Sequence, residues 1–130
     1  MAKEEITPRE WQIMEVLWQS DVSLTSSEVI QRMEGNTDMS PRTIRVLMNR
    51  LSQKDVLGYT VDERDTRVYH YFPRRPRAEC VKEKSERFVQ RYFSGNKMSG
   101  VVALLQSFVP TDEQIQELED ILEKSRGRKG

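Results

Sequence analysis

The chain has 130 residues, with 21 basic and 21 acidic side chains and a formal net charge of zero. That length makes one domain, or a small domain with an appendage, near the size where association adds stability. One cysteine, Cys80, and one histidine, His70, exclude an intrachain disulfide and a Cys/His metal cluster, so neither a metal nor a cofactor is expected.

The start, Met1-Ala2-Lys3-Glu4-Glu5, lacks the apolar core of a signal peptide, and no later stretch approaches the roughly 20 apolar residues of a membrane span. A cytoplasmic protein without a membrane partner is the expectation. Thr7-Pro8-Arg9-Glu10 is a capping box with proline at the first helical position, and predicts a helix to about Ser20. Its apolar residues, Trp11, Ile13, Met14, Val16, Leu17 and Trp18, read as core. Thr25-Ser26-Ser27-Glu28 repeats the box, and Val29, Ile30 and Met33 form a short stripe before Gly35 ends the second helix.

Ser40-Pro41 starts a third helix running to Lys54. Ile44, Leu47, Met48 and Leu51 form its apolar stripe, while Arg42, Thr43, Arg45, Val46, Asn49 and Arg50 point the other way. No acid interrupts that face before Asp55, and Arg and Asn are the side chains best suited to base edges and phosphates in a major groove. It reads as a recognition helix with Lys54 as a phosphate contact. A solvated basic helix is the competing reading for this element alone, and its neighbours decide between the two.

Two runs rich in β-branched and aromatic residues follow, 59–62 and 67–72, separated by the polar Glu63-Arg64-Asp65-Thr66. They predict a hairpin. Three helices and a hairpin make a winged helix-turn-helix, in which Arg64 and Arg67 reach the DNA backbone or pair with Asp62, Glu63 or Asp65 on the hairpin itself. His70 reads as a strand residue. Pro73-Arg74-Arg75-Pro76 reads as a solvated hinge, dividing a DNA-binding domain (1–73) from a helical region (74–130).

That second region predicts helices over 77–92 and 101–109, and a last one capped by Thr111-Asp112-Glu113-Gln114. The tail 125–130 is expected to fray. The stripes contain Val81, Phe88 and Tyr92, then Val101, Leu104 and Leu105, then Ile115, Leu118 and Leu122. Three short helices bury such faces poorly among themselves, so these residues are expected to dimerise; folding back on the winged helix is the alternative. The fold class is mainly α with a small β-hairpin wing.

The residues resemble the penicillinase-repressor family of winged-helix repressors over nearly the whole chain. The carriers are Glu10-Trp11-Gln12-Ile13-Met14-Glu15-Val16-Leu17-Trp18, the run from Ser40-Pro41-Arg42-Thr43 to Leu51, Tyr69-His70-Tyr71, Phe108-Val109 and Gln114-Ile115-Gln116-Glu117-Leu118. The resemblance implies a homodimeric transcriptional repressor on an inverted-repeat DNA operator. In the branch guarding β-lactam resistance it further implies release by an inducing protease, with Ser107-Phe108 as the corresponding bond and Ser107 standing where those repressors carry asparagine. The copper branch ends in paired Cys-x-Cys motifs, which Cys80 alone does not supply. Near-zero net charge leaves a second function class, a winged-helix protein-interaction module without specific DNA binding. An enzyme is not expected, because the chain has no paired-carboxylate signal and no Gly-rich phosphate loop.

Overall fold

Local capping sets most of the helix starts. The computed structural model describes residues 5–128, so the expectations for residues 1–4 and for the final two residues lie outside the described part. Helix α1 (Pro8–Trp18) and α2 (Ser26–Met33) both open on reciprocal capping boxes, Thr7 with Glu10 and Thr25 with Glu28. α2 closes on Gly35, whose φ of +80° is left-handed backbone that glycine adopts without strain. α3 (Pro41–Gln53) is capped by the Ser40 hydroxyl, which accepts from the Thr43 N–H at 3.1 Å.

The hairpin is β1 (Leu57–Val61) and β2 (Tyr69–Pro73), antiparallel with Leu57 opposite Pro73 and Val61 opposite Tyr69. It starts two residues earlier than the alternation suggests, because buried Leu57 belongs to the core as well as to the ladder. Leu24 adds a third, single-residue rung, exchanging both backbone hydrogen bonds with Tyr71 at 2.8 and 2.9 Å. α1 packs on α2, α3 and β2, and α3 packs on α2 and β1, around a core including Ile13, Met14, Leu17, Leu24, Val29, Ile44, Met48, Leu51 and Leu57. This is the expected winged helix.

The 73–76 stretch is corrected. Pro73 does lie in the ladder, at a position where no N–H is needed: the neighbouring rung is made by the Arg74 N–H to the Val56 carbonyl at 2.9 Å. Nor is the stretch a solvated hinge. The Trp18 indole N–H donates to the Arg75 carbonyl at 2.9 Å, the Arg75 side chain is 12% exposed and pairs with Glu79, and Arg77 pairs with Glu15 at 2.7 Å.

Beyond it come α4 (Arg77–Phe93), α5 (Lys97–Gln106) and α6 (Asp112–Gly127). α5 begins four residues before the expected start, since the Asn96 side chain accepts from the Ser99 N–H and caps it there. It also stops earlier, leaving 107–109 outside the helix. α6 carries the expected Thr111–Gln114 box and stays helical to Gly127, which corrects the expectation of fraying from Ser125. The chain forms two compact units, divided between Val81 and Lys82 inside α4. In the second unit Gly100 lets α5 approach α4 closely, for a Cβ there meets the Val89 Cγ2 at 3.3 Å. Among residues 82–128 Gly100 alone is buried, while Cys80 belongs to the core of the first unit.

Candidate nucleic-acid interface

Burial of one face of α3 determines what the other presents. Ile44, Leu47, Met48 and Leu51 are all under 10% exposed, which fixes the helix rotation and turns Arg42, Arg45, Val46, Asn49 and Arg50 to the surface. Thr43 is half-buried, its hydroxyl 3.0 Å from that of Ser40. Arg42, Arg45 and Arg50 form no ion pair among the described residues, so the face offers three unneutralised guanidiniums.

Lys54 leaves that set, and its expected role as a phosphate contact is corrected. Its ammonium turns inward, 2.6 Å from the Glu10 Oε1 and 3.0 Å from the Glu5 carbonyl, with 14% of the side chain exposed. Burial by itself raises the pKa of Glu10, but the hydrogen bond and charge of Lys54 and the Thr7 N–H outweigh it and hold the carboxyl below its ordinary value. Glu10 Oε2 is buried without a hydrogen-bond partner among the described residues, so the carboxylate depends on Lys54. A lysine one turn past the recognition residues thus clamps the end of α3 to the start of α1.

The tip of the hairpin is built by Asp62. Its Oδ2 accepts from the N–H groups of Arg64 and Asp65 at 2.9 and 3.0 Å, and its Oδ1 lies 2.8 Å from the His70 Nε2. The His70 bond, followed by the two backbone donors, lowers the Asp62 pKa. His70 is a strand residue, as expected, with the further task of bracing this turn. Arg64 is exposed at the tip with no side-chain ion pair among the described residues. Arg67 follows the competing expectation: it pairs with Asp65 through two nitrogens at 3.0 and 3.1 Å, while remaining highly exposed.

The penicillinase repressor family pattern matches residues 6–124. The chain belongs to the penicillinase repressor family. The penicillinase repressor of Bacillus licheniformis is 30% identical over 125 residues, covering 96% of this chain and 94% of that one. The methicillin resistance regulatory protein MecI of Mammaliicoccus sciuri is 26% identical over 120 residues, covering 92% and 94%. Among solved structures, the DNA-binding domain of the repressor BlaI superposes with a TM-score of 0.51 at 27% identity, covering 60% of this chain and 90% of that one. Members of this family are DNA-binding regulators and not enzymes, and the protein-interaction reading is not favoured.

In this chain the residues expected to dimerise are mostly exposed. Phe88, Tyr92, Val101, Leu104, Leu105, Ile115 and Leu122 lie between 38% and 70% exposed, whereas Val81 and Leu118 are half-buried. Ser107 caps α5, donating to the Leu104 carbonyl at 2.6 Å, and Phe108 is exposed in the connection to α6. No helix of the described residues is long and apolar enough to cross a membrane.

One residue escaped the sequence reading. Arg9, exposed on the first turn of α1, lines a groove of about 680 Å³ with Thr7, Arg42, Thr43, Val46 and Arg50. A local signal for it existed: a cation in a first helical turn opposes the macrodipole, which favours acids there.

Proposed function

We propose that this chain is a cytoplasmic, sequence-specific transcriptional repressor that binds an inverted-repeat operator as a homodimer. The winged helix within residues 1–73 carries the DNA contact, and the exposed apolar residues of α4, α5 and α6 carry the dimer contact. The observation that carries the reading is the α3 surface, on which Arg42, Arg45, Asn49 and Arg50 are exposed and free of acidic partners while the opposite stripe is buried. Arg45 and Asn49 meet base edges, and Thr43 or Val46 a thymine methyl. Arg64 of the wing holds a phosphate, while Arg67 is engaged by Asp65; phosphate contacts set position and base contacts set sequence. Local segregation answers the zero net charge: Arg42, Arg45 and Arg50 of α3 form no ion pair among the described residues, while acids such as Asp112, Glu113, Glu117 and Asp120 gather on α6.

The dimer half of the reading is supported by the apolar side chains left exposed on α4, α5 and α6. Joining two winged helices raises the effective concentration of the second for its half-site. An inducing protease that cuts at Ser107–Phe108 separates α6 from the rest and returns two weak binders. The exposure of Phe108 outside any helix supports access there.

The test is binding to DNA from upstream of the chain's own gene and to random DNA of equal length, at about 50 and about 200 mM salt. A footprint over an inverted repeat that persists at the higher salt is expected. Equal binding to both DNAs, or none to either, overturns the proposal.

A further inference from the structure

We infer that Arg9, at the start of α1, is a DNA-backbone ligand, and that Arg9, Arg42 and Arg50 together grip a phosphodiester beside the bases read by α3. The inference rests on the repressor reading and adds a contact from outside the recognition helix and the wing. Arg9 comes from α1 and Arg42 and Arg50 from opposite ends of α3, and all three line one open groove. No acidic side chain lines that groove, and none of the three forms an ion pair among the described residues. Three guanidiniums around a groove of about 680 Å³ repel one another, and an anion seated among them relieves that repulsion.

Two features hold Arg9 in place. The Thr7–Glu10 box fixes the backbone on either side of it, with the Glu10 N–H donating to Thr7 Oγ1 at 3.2 Å and the Thr7 N–H to Glu10 Oε1 at 2.9 Å. The Lys54–Glu10 ion pair then ties that box to the last turn of α3. The lysine withdrawn from the surface therefore fixes the helix that presents a different cation to it. Thr7 and Thr43, also at the groove, offer hydroxyls to the same phosphate. An acidic protein partner is the other anionic occupant, but the groove adjoins the face that meets DNA bases, where a phosphate backbone necessarily runs.

The experiment compares Arg9→Gln and Arg9→Lys with the unaltered full-length protein on upstream and random DNA, across about 50 to 200 mM salt, alongside Tm. Removing one phosphate contact makes the slope of log K against log salt shallower by about 0.9, so a dimer that forgoes one in each subunit shifts by about 1.8. Over a fourfold rise in salt the unaltered protein then loses about tenfold more affinity than Arg9→Gln does. That change on both DNAs, with Tm unchanged and the slope restored by Arg9→Lys, supports the inference. An unchanged slope for Arg9→Gln with the footprint intact overturns it and leaves the repressor reading standing. A loss confined to upstream DNA overturns it too, since a phosphate contact carries no sequence. A slope change accompanied by a lower Tm and not restored by lysine assigns Arg9 to folding and overturns it. Failure of the unaltered protein to bind either DNA overturns the repressor reading and this inference with it.

Discussion

Replacing Lys54 with alanine separates the two roles a basic residue at the end of α3 can have. The Glu10 side chain is 1% exposed and its Oε2 already lacks a partner among the described residues, so Lys54→Ala leaves a buried carboxylate with the Thr7 N–H as its remaining donor there. Breaking a buried pair in this way costs about 3 to 5 kcal/mol, and the 14% exposure of Lys54 places this case near the lower end. For a unit of this size about 3 kcal/mol corresponds to a fall in Tm of roughly 12 to 24 °C. Thermal unfolding by circular dichroism reads it directly. Glu10→Gln combined with Lys54→Met keeps a side-chain acceptor in the capping box and removes both charges, and recovers most of the loss. The pH dependence has a defined sign. The Glu10 pKa is depressed on folding, so its stabilisation is present above the ordinary value of 4.5 and disappears as pH falls through the lower folded value. The unaltered protein therefore loses more stability below that value than the double variant does. An unchanged Tm for Lys54→Ala, together with a shallower salt dependence of DNA binding, would refute the argument and return Lys54 to the DNA surface.

Other outcomes follow from the same geometry. Arg45→Ala costs about 1 to 3 kcal/mol on the operator and relaxes its sequence preference in competition binding, and equal losses on random DNA would remove Arg45 from base reading. Asp62→Asn loosens the wing tip, seen as faster amide exchange at Arg64 and Asp65; in the unaltered protein the same amides lose protection only as pH falls through the depressed Asp62 pKa, below 3.8. Leu104→Asp and Leu122→Asp, at positions 56% and 63% exposed, shift sedimentation toward monomer while α1 to α3 keep their unfolding transition. An unchanged dimer in both variants would place the contact elsewhere.

Features within reach of a few neighbouring residues were legible from the chain. Thr7–Glu10, Thr25–Glu28, Ser40–Thr43 and Thr111–Gln114 are contacts between residues three apart, so the residue types nearly specify the bond. The stripe Ile44, Leu47, Met48 and Leu51 is equally local, and it fixed which side of α3 faces outward. Misreadings arose where a distant partner decided. Pro73 was legible as a ladder breaker but not as the occupant of a rung that needs no N–H, which depends on its register against Leu57. Arg75 lost its solvation to Trp18 and Glu79, one of them far away in the chain.

The amino-acid order alone determined a winged helix followed by three apolar-striped helices, and it picked out most of the candidate DNA face, because caps, periodicity and turn chemistry act over one or two turns. Tertiary structure decided which cations belong to that face. Lys54, at the C-cap of α3, and Arg9, in the first turn of α1, differ in how they meet the helix dipole, but that local difference does not say which of them stays available to a ligand. Folding sets Lys54 against a buried carboxylate 44 residues away in sequence, where low exposure makes the pair strong. It also sets Arg9 beside Arg42 and Arg50 across a groove that no acid lines among the described residues. Charge is a property of the residue, but its availability to a ligand depends on what the fold brings within hydrogen-bonding distance.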